Sequence, residues 1–416
     1  MGQLHSTLNN ITFAGSFDRS DLRRLLAALH NLRKTGFKTA NLDLTQLTKA
    51  YTPEMLPLAT QCRSLLHNGF EVLLELPSDG KLRRLFENSN WAYLIDPRSH
   101  DRSQFDSPQH LPAVIYTNPD EQFDAVEKVI DLSLRNLNLT DRQQLASIEW
   151  SVNEIADNVL NHAHSMIGGV IQVSARSDKN TIEYVVCDAG LSIPRTLREA
   201  HRSIATDLEA LDRAIREGVT RNIKTNMGNG LFGSYRLAEL SGGSFHIYSG
   251  YASLNYTPKN GLHVLQESIP FSGSLVVCTI EVSNVELLSE ALTFRGQKFT
   301  PYSVAEQISD DEKVTIALAE ESHFFGSRPA AKPVRQKIEN LVRTTSAQVT
   351  IDLSEVPLVS SSFADEVFGK LFVDLGPLQF MSRITIAGGN SIVRKLIDRA
   401  ISQRAAIGQP GQERDS

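Results

Sequence analysis

Apolar residues fall along this chain in two patterns, short unbroken runs that read as strands and three-and-four spacings that read as helices. From residue 9 to about 97 the two alternate. Residues 11–14 form a short apolar strand. Leu22, Leu25, Leu26, Leu29 and Leu32 then make a helical stripe, with Ser20 as its cap and Gly36 as its stop. A strand from Ala40 leads to a helix opened by Thr52, with Pro53 in its first turn and Gly69 at its end. A strand from Phe70, a basic helix at 81–86 and a strand from Trp91 complete a βαβαβαβ order, which predicts a sheet backed by helices over 1–105.

The second region, 110–290, changes character. A helix at 121–134 precedes a longer one opened by Thr140, with Gln143 as its capping-box partner. Leu145, Ile148, Val152, Ile155 and Val159 give that helix a core-facing stripe and leave Glu154, Asn158 and Asn161 on its other side. Strands from Gly169 and Thr181 follow. After a helical interval come three more apolar runs, the last ending at Val282. An antiparallel sheet covered by helices on one face is the economical packing.

Strand–helix alternation resumes over 296–405, with strands from Val314, Gln348 and Arg383 and helices near 334–342, from Ser361 or Ser362, and at 391–401. Residues 406–416 read as a disordered polar tail. Asp43 and Asp352 each end a strand, and nine residues after each stands a hydroxyl residue at a helix start, Thr52 and Ser361. The first and third regions therefore read as one domain type used twice.

Composition narrows the function. A net charge of -6 over 416 residues gives no electrostatic case for nucleic acid or an anionic membrane. No apolar run approaches the ~20 residues that cross a bilayer. Cys62, Cys187 and Cys278 lie far apart without metal-site spacing and read as reduced thiols of a cytoplasmic protein. The N-terminal Met-Gly-Gln-Leu-His-Ser fits a myristoylation pattern but no basic patch supports it, and we treat it as coincidence.

Three pieces of the central region carry candidate chemistry. Glu154 and Asn158, four apart on a helix, project from one face, where a carboxylate can act as general base and an amide oxygen can ligate Mg²⁺. A solvated helix face is the bland alternative. His162, a turn further on, is a candidate phosphate contact, with an ordinary surface or core histidine as the more usual reading. Asp188 closes a strand and can accept from the amino group of adenine, and Gly190 lets the backbone come close. Gly228, Gly230, Leu231 and Gly233 open a helix whose free N–H groups attract phosphate oxygens. The interval 195–227, with Arg213, Arg216, Arg221 and Lys224, is a candidate lid or a charged surface insertion.

The order and contexts of these pieces resemble the GHKL superfamily of ATP-binding domains, which includes DNA gyrase, the dimeric heat-shock chaperones, histidine kinases and anti-sigma-factor kinases. The resemblance spans roughly 115–285. It implies a two-layer α/β sandwich of the Bergerat type, binding ATP and Mg²⁺. In that family pattern Glu154 is the activating base, Asn158 the metal ligand, Asp188 the adenine contact, Gly228, Gly230 and Gly233 the phosphate-facing glycines, and Thr279 the support of the adenine-binding Asp. Many members carry a second glycine where this chain has Ser192, which implies a stiffer hinge. The flanking regions resemble STAS domains, the α/β modules of anti-sigma-factor antagonists. Ser361 falls on the serine those antagonists phosphorylate, but Ser360 and Phe363 replace their Asp and Gly, so a helix-capping role is the expectation for Ser361.

The fold class expected is α/β, a GHKL-type centre between two STAS-like domains. The function expected is nucleotide-dependent regulation of a protein partner, by ATP hydrolysis or by phosphoryl transfer to a protein hydroxyl. A non-catalytic nucleotide-sensing scaffold is the alternative, and a homodimer is left open.

Overall fold

The computed structural model describes residues 2–32, 36–103, 110–137, 139, 145–215, 230–284, 287–291, 313–322, 324–344 and 348–407. The chain is α/β, and the described residues form three sheets. The first runs β1-β2-β3-β4: a hairpin of β1 (Gln3–Thr7) and β2 (Asn10–Ser16), then β3 (Thr39–Lys49) and β4 (Glu71–Glu75) in parallel. Helices α1 (Arg19–Leu32), α2 (Thr52–His67), α3 (Gly80–Asn88) and α4 (Trp91–Ile95) connect and follow these strands.

Local details differ from the sequence reading in instructive ways. The cap of α1 is Asp18, whose Oδ1 accepts from the N–H groups of Ser20 (2.8 Å) and Asp21 (3.1 Å); Ser20 lies inside the helix. The run from Trp91 is a helix, not a strand. An unbroken apolar run has no period to read, and here left-handed Asn90 starts a turn that buries Trp91, Ala92, Leu94 and Ile95 together. The polar strand β1 gave no apolar signal because most of it is exposed.

The central sheet is antiparallel throughout, in the order β5-β6-β7-β9-β8. Its strands are β5 (His110–Tyr116), β6 (Gly169–Arg176), β7 (Thr181–Asp188), β8 (Ser244–Thr257) and β9 (Gly261–Glu281). Edge strand β5 was not foreseen. The last two apolar runs are one long strand, β9, paired with β8. Its helices are α5 (Pro119–Leu137), α6 (Ala146–Asn158), α7 (Ile193–Ala200), α8 (Asp207–Ala214) and α9 (Gly230–Leu240), with a π-type turn at Val159–Ala163 extending α6. The expected cap of the long helix, Thr140 with Gln143, lies outside the described residues.

Both faces of this sheet are covered. Along β7, Ile182, Tyr184 and Val186 pack into the core shared with α6 and α9. Val185 and Cys187, pointing the other way, join the core of the first sheet, where α2 lies across the strands. Trp91 closes this second contact by donating from Nε1 to Gln172 Oε1 at 2.8 Å, with its ring edge-on to Phe86.

After α10 (Leu287–Ala291), the third sheet runs β10-β11-β12, all parallel: β10 (Lys313–Ala317), β11 (Gln348–Asp352) and β12 (Ile384–Ala387). Its helices are α11 (Leu318–Glu321), α12 (Arg328–Thr344), α13 (Ser361–Ala364), α14 (Lys370–Leu375), α15 (Pro377–Arg383) and α16 (Ser391–Ile407). A π-type turn at Asp365–Gly369 joins α13 to α14. The expected tail beyond 407 lies outside the described residues.

The paired aspartates fold alike. Asp43 Oδ1 accepts from Thr45 N (2.9 Å) and Oγ1 (2.7 Å), and Asp352 Oδ1 accepts from Ser354 N (2.9 Å) and Oγ (2.6 Å). The turn at Asp352 follows β11, as expected, but Asp43 does not end its strand: its turn lies inside β3, where the pairing with β2 shifts register between Asp43 and Gln46. Among the described residues no helix is long and apolar enough to cross a membrane.

Truncating Trp91 removes both a buried ring and the donor that satisfies buried Gln172. Trp91→Ala should cost about 3–5 kcal/mol in urea denaturation. A cost under about 1 kcal/mol would contradict its place in the contact.

Candidate functional site

A small cleft opens between the end of α6, the loop after β7 and the start of α9. Asn158, His162, Asp188, Gly230 and Leu231 line it, together with Thr196 and Ser274. Its mainly apolar wall, with a few convergent polar groups, is the kind of lining that small-molecule sites have.

Asp188 stands at one end, fully buried. Its Oδ1 accepts from Gly190 N (2.7 Å) and its Oδ2 from Ser274 N (3.1 Å). Burial pushes its carboxyl up to about 7, and the two N–H donors work against that shift. Gly190 is required for a reason the sequence did not show. A Cβ there would sit 2.1 Å from the carbonyl oxygen of Ala163, and the next residue, Leu191, donates its N–H to that same oxygen at 2.6 Å. This junction brings the helix end bearing Asn158 and His162 to the Asp188 loop. Ser192, in place of a second glycine, caps α7 by accepting from Arg195 N at 3.3 Å.

Thr279 is not beside Asp188. In the β7–β9 register it faces Glu183, five residues up the strand, and Ser244 donates to its Oγ1 at 3.2 Å. Ser274 takes the supporting place, because Cys187 pairs with Leu275 and so puts residue 274 level with the strand end. Gly233 is buried within α9 and does not line the cleft. Gly228, with Arg216, Arg221 and Lys224 of the candidate lid, lies outside the described residues.

Glu154 stands between the cleft and the third sheet. A Cβ on Gly230 would lie 2.9 Å from Glu154 Oε2 and 3.4 Å from Asn158 Nδ2, so glycine lets the start of α9 approach both side chains. The other oxygen, Oε1, accepts the backbone N–H of Ser361 at 2.8 Å. Glu154 is thus buried rather than on a solvated face. Burial, reinforced by the Asp157 carboxylate, raises it to about 7, against the Ser361 hydrogen bond and the Arg328 guanidinium.

The residues around it were missed in the sequence reading. Trp150 Nε1 donates to Ser361 Oγ at 3.3 Å, and Ser362 Oγ donates to Asp157 Oδ2 at 3.0 Å. Trp150, Glu154 and Asp157 are spaced by four and three, so they form a second stripe along α6. That spacing was the available signal. The turn they grip is capped by Ser360, whose Oγ accepts from Phe363 N at 3.0 Å, so capping belongs to Ser360 and not to Ser361. Below it Arg404 binds Asp365 through Nε (2.6 Å) and Nη2 (2.7 Å), and Arg328 binds the same carboxylate at 3.0 Å.

Residues 330–394 match the STAS-like domain of unknown function (DUF4325). The turn that meets Glu154 belongs to this STAS-like domain. No curated protein matches the chain.

Glu154 and Asp157 hold their protons in the folded protein at pH values where the unfolded chain, with carboxylates titrating near 4, has lost them. Their contribution to stability is therefore full at low pH and is lost as pH rises through about 6 to 7. Glu154→Gln should flatten the melting-temperature profile between about pH 5 and 8, with the variant gaining roughly 2–6 °C on wild type at the upper end. An unchanged slope would show that Glu154 ionises freely in solvent.

Proposed function

We propose that this chain is a cytoplasmic, ATP·Mg²⁺-binding regulator of GHKL type, in which STAS-like units on either side of the nucleotide domain couple its state to a protein partner. The observation that carries this reading is the convergence of Asn158, Asp188 and Gly230 on one cleft, with Glu154 packed directly behind Gly230. Asp188 would accept from the adenine amino group while its remaining lone pairs hold Gly190 and Ser274. Asn158, with His162 beside it, faces the end where phosphates would lie.

The donor set fits Mg²⁺, which keeps several waters and takes one or two protein ligands alongside phosphate oxygens. Among the described residues there is no cluster of three or more His, Cys, Asp or Glu that would make a complete protein cage. Asn158 would hold the ion, and the ion would neutralise developing phosphate charge. Glu154 would take the proton from the attacking hydroxyl, which requires the carboxylate to be ionised.

One contact favours transfer to protein over hydrolysis. Ser361 donates its backbone N–H to the Glu154 carboxylate, which holds its side-chain hydroxyl close to the same group. In that version Ser361 Oγ forms a bond to the γ-phosphorus, the bond to the β–γ bridging oxygen breaks, the proton passes to Glu154 and ADP leaves. A scaffold that binds nucleotide without chemistry would use the same contact only to dock the STAS-like domain.

ATP·Mg²⁺ should raise the melting temperature of wild type and leave Asp188→Ala unshifted; no shift in wild type sinks the nucleotide reading. With γ-labelled ATP, Glu154→Ala should abolish phosphate release or protein labelling, and Ser361→Ala should remove labelling alone. Wild-type turnover should fall as pH drops below about 7, as Glu154 takes up its proton. Turnover that survives Glu154→Ala would remove that residue from the chemistry.

A further inference from the structure

The adenine end of the proposed cleft is braced from outside the central sheet. Helix α2 crosses the sheet face turned away from the cleft, with Thr60 fully buried and within hydrogen-bond reach of Cys187, the neighbour of Asp188. The next residue, Gln61, is buried and donates from Nε2 to the carbonyl oxygen of Ser272 at 2.8 Å. Ser272 begins a three-residue segment that holds Asp188. Gly273 has φ +90°, and a Cβ on it would lie 2.3 Å from Asp188 O and 2.5 Å from Asp188 Oδ1. Ser274 donates its N–H to Asp188 Oδ2. From the far side Ser249 Oγ donates to Gly273 O at 2.8 Å and accepts from Ile193 N at 2.9 Å.

We infer that Gln61 is a positioning residue for the base-binding end of the cleft, acting through residues 272–274 on Asp188 and tying nucleotide affinity to the docking of the first sheet. This rests on the nucleotide reading above. A backbone segment in a positive-φ conformation is held by its hydrogen bonds, and here one of them comes from a helix more than 200 residues away in sequence. Loss of that donor frees the segment to shift, and Asp188 shifts with it. The phosphate end, set by Asn158 and Gly230, is untouched.

The test uses the full chain and calorimetric titration with Mg·ATP and with magnesium tripolyphosphate, which shares the phosphates but lacks the base. Gln61→Met keeps the side-chain length and removes the donor. It should weaken ATP by about three- to tenfold and leave tripolyphosphate unchanged. Ser249→Ala, which loosens the same segment from its other side, should act in the same direction. Arg23→Met breaks a different bond between the same two units, the ion pair with Glu267, and should leave the ratio of the two affinities unchanged. If Gln61→Met and Ser249→Ala both keep the wild-type ratio, the Gln61 bond serves docking alone and this inference is overturned. Absence of ATP binding in wild type would overturn the nucleotide reading, and this inference with it.

Discussion

A carboxylate taken out of water must be given hydrogen-bond donors, and the arrangement of this molecule follows from how Glu154 and Asp157 are given theirs. Each takes a donor from outside the central sheet and helices. The backbone N–H of Ser361 and the hydroxyl of Ser362 supply them. Helix α6 is consequently a shared wall: Ile148, Val152 and Ile155 belong to the central core, while Trp150, Glu154 and Asp157 belong to the joint with the STAS-like domain. The buried bidentate pair of Arg404 with Asp365 fixes the helix start that presents those donors.

The opposite side of the sheet shows the same economy with apolar means. A strand whose neighbours alternate between two faces can join two cores, and β7 does so through Tyr184 and Val186 on one side and Val185 and Cys187 on the other. Asp188 at its tip is therefore held by packing from both directions. The cleft lies in the middle layer of the molecule.

Much of this was legible in the amino-acid sequence, for identifiable reasons. The stripe Leu145, Ile148, Val152, Ile155 and Val159 marked a helix with one apolar face, and the four-residue step from Glu154 to Asn158 placed both near one cleft. The strand ending at Asp188 and the glycine at 230 were found in the same way. What failed needed information that no local window holds. Thr279 and Ser274 are five residues apart on one strand, and only the register with Cys187 tells which of them reaches Asp188. The polar face of α6 looked solvated because its partners, Ser361 and Ser362, stand about 200 residues away. Trp91 to Ile95 looked like a strand because an unbroken apolar run fits either structure when it is short.

The grip of Trp150, Glu154 and Asp157 on the 361–362 turn joins two parts of a single polypeptide. Diluting the protein does not dissolve it, since both halves travel together. An outside protein that sought the same face of α6 would compete against a tethered rival whose effective concentration is on the order of millimolar for a short connection. Weak binders would be excluded from that face, and a binder that succeeds must first displace the chain's own STAS-like domain.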